Sequence, residues 1–431
     1  MTERMQTHAI RLIVFMMTLI LTGVALYHPG VLVFDETHYV PAASGLLHFN
    51  DNRNPEHPLF AKEMIAVGMW LFGETPFGWR ALGALVSACG ILACFEIART
   101  VFKSTRYALF TCAMILLNII FVVQARLAML DTYTYPLLAI SAAFLIFSTG
   151  KTRTLPMAIV GLILAGIFLG LAAGSKWIAG IYAAIALILL IIARTNTTIL
   201  SRRPIYDALI GRGFDSWPKL SMLSAGLIVG IVSLSVYFLT FLPYFFWPDE
   251  AFTSIGDLID FQFRMYELQT MPLAENSYES EWWEWPLLLE PIWYHFETLE
   301  NGNHEAIFYV GNPAIFWGGI LALIGAVYQA VRRPNIRQIG IVSFFLASWL
   351  IFAILPKQVG FLFYHHGSAM LLAFVIASAI QGLPDGRFKT GLFWGSIAVA
   401  LSLFVFFLPV IYAMEMPPTQ WLIYIWMPGW T

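Results

Sequence analysis

Charge is what this chain has least of. Asp, Glu, Lys and Arg make up 12% of its 431 residues, about half the ~25% typical of a soluble domain. That leaves too little polar surface to clothe a water-soluble fold of this size. A net charge of −2 gives no basic face for nucleic acid, whose binding rests on phosphate neutralisation. Cysteine is almost missing: Cys89, Cys94 and Cys112 all sit inside apolar runs, without a CxxC pair, and read as small packing residues, not redox or metal groups. No GxxxxGK[ST] loop is present, which argues against an ATP-driven pump. There is no fixed-period repeat and no low-complexity tract.

What the chain has instead is apolar sequence. Residues of hydrophobic type make up 59%, gathered in recurring runs of about 18 residues or more, long enough to cross a bilayer as helices. Eleven spans are expected, near 10–28, 77–98, 107–124, 132–149, 155–174, 177–193, 220–246, 307–330, 339–356, 361–381 and 390–412. The first follows Arg4 and Arg11 and lacks a small-x-small cleavage pattern, so it reads as a retained helix.

The few charges are sorted by side. With the N-terminus inside, only Arg53, Lys62, Arg80, Arg126, Lys176, Arg264 and Lys357 of the 24 Lys and Arg fall outside. Every inner loop is then basic, as the positive-inside rule requires. Eleven spans place the C-terminus outside, and its Trp421, Tyr424, Trp426 and Trp430 read as an interfacial aromatic belt. The expected class is an all-α polytopic membrane protein. Its parts are an N-terminal membrane module (1–246) with a large first outer loop (29–76) containing amphipathic helices, a Trp-rich outer loop (247–306) and a C-terminal membrane region (307–431). The inner loops are short, that at 194–219 being the longest, and none holds a nucleotide-binding domain.

The residues able to do chemistry gather at the outer edge. Phe34-Asp35-Glu36-Thr37-His38-Tyr39 crowds two carboxylates, which raises at least one pKa and suits a general base toward a hydroxyl; the plainer alternative is a helix N-cap at Asp35 or Thr37. His57-Pro58-Leu59-Phe60-Ala61-Lys62 puts a cation at a helix start, where the dipole disfavours it, so a lipid phosphate is one natural partner and headgroup snorkelling the other. Arg126 and Asp131 flank a very short turn at a depth where ionisable groups are costly; they serve a site or pair with each other. Lys176 precedes Trp177, a cation–π pair in its plainer reading. His365-His366 offers neighbouring imidazoles that point apart on a helix, so no metal set is expected. Glu281-Trp282-Trp283-Glu284-Trp285 suits either an interface anchor or sugar contact.

Together these segments resemble the protein O-mannosyltransferases, a family of GT-C glycosyltransferases using lipid-phosphate donors. Phe34-Asp35-Glu36 with Tyr39 resembles the family's acidic motif, and Asn54-Pro55-Glu56-His57-Pro58-Leu59-Phe60-Ala61-Lys62 its HPPLGK stretch, lacking the second proline. Phe77-Gly78-Trp79-Arg80 and the turn from Arg126 to Asp131 follow in order, then Trp283-Glu284-Trp285-Pro286, Pro291-Ile292-Trp293-Tyr294, Gly311-Asn312-Pro313-Ala314 and Phe363-Tyr364-His365-His366. The loop at 247–306 is too short for a soluble β-trefoil insertion, which makes the chain resemble bacterial members. The resemblance implies an inverting transferase that moves a sugar, mannose in this family, from a polyprenyl or dolichyl phosphate to Ser/Thr hydroxyls of protein, outside the plasma membrane.

It further implies Asp35 as the catalytic base, with Glu36 as the second catalytic carboxylate; Lys62 and Arg126, then Lys176 and Arg264, as cations for the donor phosphate; and His57, Asp131, Tyr39 and His365 as orienting groups. No metal or other cofactor is implied beyond the lipid-linked donor. Three other readings stay open: a lipid-modifying transferase of the aminoarabinose type, a transporter of lipid-linked sugar, which needs pseudo-symmetry and midplane charges, and a scaffold. The transferase reading demands that Asp35, Lys62, Arg126 and Asp131 converge on one outward cavity.

Overall fold

The computed structural model describes residues 3–50, 54–150, 152–217, 219–248, 251–271, 277–355 and 359–431; Arg53, Lys151 and Lys357, each assigned a side by charge, lie outside them. Among the described residues ten helices are long and apolar enough to cross a membrane, or eleven if one bent pair counts as a span. The first is α1 (Glu3–Gly23). The outer loop after it holds α2 (Glu36–His48) and α3 (Phe60–Phe72). α3 buries Ala61, Lys62 and Ile65 and exposes Val67, Trp70, Leu71 and Phe72, the two-sided pattern of an interfacial helix.

Next come α4 (Pro76–Phe102), the pair α5 (Thr105–Leu116) and α6 (Ile119–Ala125), then α7 (Leu130–Ser148), α8 (Leu155–Ser175) and α9 (Ile178–Leu200). α4 starts where Thr75 caps the Gly78 amide and Pro76 occupies the first turn, the arrangement that leaves fewest orphan amides. The expected third span is broken: α5 and α6 meet at 69°. At the break the Asn312 side-chain amide donates to the carbonyls of Leu117 (2.9 Å) and Ala400 (2.9 Å), and Asn118 Oδ1 accepts the Asn312 N–H (3.1 Å). Broken backbone inside a membrane needs such partners. The break aims the residues after α6 across the bundle end and not along it.

A short turn α10 (Asp207–Ile210) leads to α11 (Met222–Leu239), and α12 (Ile255–Thr270) then lies in the second outer loop behind a Ser254/Asp257 capping box. The C-terminal spans are α13 (Pro313–Arg332), α14 (Ile336–Leu350), α15 (His366–Gln381) and α16 (Arg387–Phe406), followed by the turn α17 (Leu408–Ile411). The span ending in α15 is the central one, with 83% of its most apolar stretch buried in protein.

The all-α expectation needs one correction. Residues Ile292–Thr298 (β1) and His304–Tyr309 (β2) form an antiparallel hairpin with a bulge between Trp293 and His295. The eighth span therefore begins at Pro313, and residues 307–309, expected inside it, belong to a strand. Runs of Ile, Trp, Tyr and Phe around a Gly302 turn at φ +80° favour strands. The C-terminal segment also differs from an aromatic belt: Met416 exchanges both backbone hydrogen bonds with His304 at 2.8 Å, and Trp430 is fully buried, its indole donating to the Leu288 carbonyl. Trp285 is buried too, bonded to Ser280, while Trp283 stays exposed.

Candidate active site

Asp35 stands at the N-cap position of α2 but makes no capping bond with its side chain. Its carboxylate turns back instead, and Oδ2 accepts the Tyr39 hydroxyl at 3.1 Å. The group is half-buried. Burial pushes its pKa above the ordinary aspartate value, against the pull of the Lys176 charge and the Tyr39 hydrogen bond, with Asp131 adding to the rise. The same burial and the neighbouring Asp35 raise the Tyr39 phenol well above its usual range, so it stays a donor.

Glu36, expected beside Asp35 as a second acid, is committed elsewhere. It is fully buried, takes Nε (2.8 Å) and an amino group (2.6 Å) of Arg80, and accepts the Ala128 and Val33 amides at 2.8 and 3.2 Å. Arg80 directs its other donors to the carbonyls of Leu26, Pro29 and Val31. All five guanidinium N–H groups are thus used. This pair clamps the first outer loop to α4 and to the turn after α6, and the carboxylate next to Asp35 has no free lone pair facing a substrate.

Lys62 and Arg126, expected first for the donor phosphate, are likewise taken by backbone. The Lys62 ammonium is buried and donates to the carbonyls of Asn54 (2.6 Å) and His57 (2.8 Å), and more weakly to Asn54 Oδ1 (3.4 Å). Burial pulls its pKa down to about 7 against Glu56 and Glu63. It shapes the loop that sets the His57 ring edge-on to Tyr39, 6.1 Å between centroids. Replacing Lys62 by Met orphans buried carbonyls and is expected to cost about 2–3 kcal/mol, read as a lower unfolding temperature of the purified protein; an unchanged midpoint would refute the clamp. Arg126 donates to the Val24 and Ala25 carbonyls past the end of α1 and lies 4.1 Å over the Tyr412 ring. It forms no pair with Asp131.

Asp131 pairs instead with Lys176. The ammonium reaches both carboxylate oxygens, at 3.0 and 2.8 Å, while Gln124 Nε2 approaches Oδ2 at 3.5 Å. Each charge sits at the end of its helix that the dipole favours: Asp131 in the first turn of α7, Lys176 at the C-cap of α8. Two glycines make the meeting possible. A side chain at Gly83 would strike Thr132 at 2.7 Å, and one at Gly174 would strike Thr240 at 2.9 Å. Lys176 lies 5.3 Å from the Phe363 ring and 5.6 Å from Tyr364, not over Trp177, whose indole goes to the Tyr237 hydroxyl at 2.8 Å.

The hairpin supplies the back wall. Tyr294 stacks on Phe34 (4.1 Å) and on Tyr309 (4.7 Å), and its hydroxyl donates to Gln124 Oε1 at 3.1 Å. Tyr309 contacts His366 Nδ1 at 3.0 Å. His366 is therefore the histidine joined to this wall. His365, expected to orient substrate, is buried among Trp285, Phe316, Phe345 and Trp349, and neither ring nitrogen has a hydrogen-bond partner among the described residues. Arg264 sits apart on α12, exposed in an open groove of about 710 Å³ with Asp257, Asp260 and Glu267. A smaller cavity of about 300 Å³, lined by Thr37, His38, Pro41, Asn54 and Glu56, opens beside the Asp35 segment.

Of the four residues expected on one cavity, Asp35 and Asp131 come near enough to act on each other through charge, with Lys176 acting on both, while Lys62 and Arg126 turn their cations to backbone carbonyls. Arg80, Gln124, Tyr294 and Tyr364 join the site although sequence alone assigns them no role. Among the described residues no three His, Cys, Asp or Glu gather as metal ligands.

This arrangement has relatives. Residues 254–430 match the family model of the C-terminal four-span region of protein O-mannosyltransferase, and residues 56–211 that of dolichyl-phosphate-mannose-protein mannosyltransferase. A polyprenol-phosphate-mannose–protein mannosyltransferase of Mycolicibacterium smegmatis is 26% identical over 93% of this chain and 88% of its own length. The fold is that of the Saccharomyces cerevisiae Pmt1-Pmt2 complex bound to the sugar donor (TM-score 0.81, 12% identity, 99% of this chain and 93% of that one). It is shared less closely with ArnT of Cupriavidus metallidurans bound to undecaprenyl phosphate (TM-score 0.60, 13% identity, 94% and 76%). The two family models describe consecutive parts of one kind of enzyme and the relative spans nearly the whole chain, so this chain is a multi-span GT-C membrane protein that belongs to the protein O-mannosyltransferase family.

Proposed function

We propose that the chain is an inverting mannosyltransferase that takes mannose from a polyprenyl-phosphate carrier and places it on Ser/Thr hydroxyls of protein. The observation carrying this reading is the juxtaposition of a half-buried carboxylate of raised pKa, Asp35, with the Lys176–Asp131 pair. Asp35 takes the acceptor hydroxyl's proton. The hydroxyl oxygen attacks the anomeric carbon from the face opposite the phosphate, the bond to the phosphate oxygen breaks, and the lipid phosphate leaves. Negative charge grows on that oxygen, and Lys176 is the cation placed to meet it, since a fixed charge in a desolvated site stabilises such a transition state without reorganisation. Asp131 and Tyr39 are positioning residues for the two.

The basic loops 99–106, 194–219 and 332–337 lie at the end of the bundle away from Asp35, which supports an N-terminus inside, a C-terminus outside and an active site on the outer face of the plasma membrane. The cavity at Thr37, His38 and Asn54 is the acceptor's approach. The N-terminal part, 1–246, carries the reacting groups, the outer loop 247–306 brings β1, and 307–431 buttresses the wall.

The test is transfer of labelled mannose from polyprenyl-phosphate-mannose by purified protein to a Ser/Thr peptide or to lipid A. Label in the peptide supports the proposal; label in lipid A alone would install the lipid-modifying reading in its place. Lys176→Met is expected to slow transfer about 10²-fold, mainly in kcat. Wild-type rates in that variant would remove Lys176 from the donor site.

A further inference from the structure

The end of the bundle farthest from Asp35 carries a second built surface. α9 starts two residues after Lys176 and runs for 23 residues, about 34 Å, so the chain beyond Leu200 lies a full hydrocarbon thickness from the site. α11 returns from there to Thr240, which packs on Gly174. The segment between is anchored to the α7–α8 turn: Gly150 N–H donates to the Ser216 carbonyl at 2.8 Å, and the Trp217 indole to Ser148 Oγ at 3.0 Å.

Two kinds of side chain stand out from it. Ile205 (66%), Tyr206 (63%), Leu209 (43%) and Ile210 (54%) are exposed, continuing the exposed apolar face of α9 through Ile192, Ile199 and Leu200. Arg202, Arg203, Arg212 and Lys219 are exposed beside them. The guanidiniums of Arg194 and Arg203 lie over the Phe214 ring, at 3.8 and 4.9 Å. Arg194 donates to Ser216 Oγ and the Gly211 carbonyl at 3.0 and 3.1 Å, and its buried Nε has no partner among the described residues. Asp207 and Asp215 are the segment's two acids, against its four cations and Arg194 in the last turns of α9.

We propose that this segment binds the headgroup of an anionic phospholipid. Apolar side chains continuous with a lipid-facing helix belong in the acyl boundary, and that continuity favours a lipid over a soluble partner. Cations one turn beyond them meet the level of the headgroup phosphates. A zwitterionic lipid carries no net charge to offset the excess of cations. The proposal is independent of the transferase reading.

The experiment uses the full chain in neutral detergent with short-chain phosphatidylglycerol, short-chain phosphatidylcholine or inorganic phosphate, reading the unfolding temperature. Phosphatidylglycerol alone is expected to raise it. In R202Q/R212Q/K219Q, whose three side chains make no hydrogen bond among the described residues, the lipid concentration for half the effect is expected to rise on the order of 10²-fold, about fivefold per cation. Basal mannosyl transfer without added lipid stays at wild-type level, which separates this test from the transferase assay. An equal response to phosphatidylcholine, a response to phosphate, or an undiminished response in the variant would each overturn the proposal. So would a loss of self-association in the variant, which would assign the surface to a second copy.

Discussion

Asp35→Asn is expected to lower mannosyl transfer by about 10²- to 10⁴-fold, the usual contribution of a positioned general base, with no loss of fold. Asparagine keeps the size of the side chain and an oxygen for the Tyr39 hydroxyl, so the bond of 3.1 Å survives. The variant loses the lone pair that takes the proton. Thermal unfolding should stay within about 0.5 kcal/mol of wild type, as for a substitution that leaves packing intact. A variant that still transfers at the wild-type rate would place the base elsewhere.

The pH profile gives an independent check with a definite sign. Burial raises the Asp35 pKa, and the base is active only when ionised. Transfer should therefore fall on acidification at a pH above the ~3.9 of a free aspartate. Tyr39→Phe removes a hydrogen bond that favours the carboxylate, so the acid limb should move further up while the alkaline plateau changes less. A limb unmoved by Tyr39→Phe would mean that another group is titrating.

Arg80→Leu is expected to cost about 3–5 kcal/mol, the penalty for leaving one member of a buried ion pair alone. Glu36 and Arg80 are 0% and 1% exposed, and the guanidinium also holds three carbonyls of the loop that presents Asp35. Arg80→Lys should fail as well, because one ammonium cannot reproduce a planar fork bridging a carboxylate and three carbonyls. Replacing Glu36 and Arg80 together by Leu should cost less than the sum of the single changes, since no buried charge is then left unpaired. Unfolding midpoints for the two singles and the double close the cycle. Strictly additive losses would show that the two do not act as one clamp.

The contrast between these residues explains why the sequence pattern joins Glu36 to Asp35. Adjacent carboxylates look equivalent in one dimension. On the first turn of α2 they point apart, Glu36 inward to Arg80 and Asp35 back over Tyr39, and only the second keeps an oxygen without a hydrogen bond among the described residues. The cations mislead for a related reason. Lys62 and Arg126 stand inside the clearest motifs, yet both turn to backbone carbonyls of loops, Lys62 to Asn54 and His57 and Arg126 to Val24 and Ala25. Lys176, ranked behind them because Trp177 offers a plainer partner, is the one held by Asp131.

By itself the sequence determined the lipid solvent and a span count within one of the ten or eleven observed, and it set the expectation that charge is sorted between two faces and that the first outer loop carries the chemistry. Each follows from local properties: run length, charge placement and the cost of ionisable groups near a membrane. Tertiary structure alone decided which ion pairs form, since Glu36 finds Arg80 across 44 residues, Asp131 finds Lys176 across 45 and Gln124 finds Tyr294 across 170. It also decided the break between α5 and α6, where the stabilising Asn312 lies 194 residues from Asn118, and the hairpin behind Asp35. A hydrogen-bond partner is chosen by a few tenths of an ångström between elements far apart in the chain, and no periodicity or composition within one element encodes that distance.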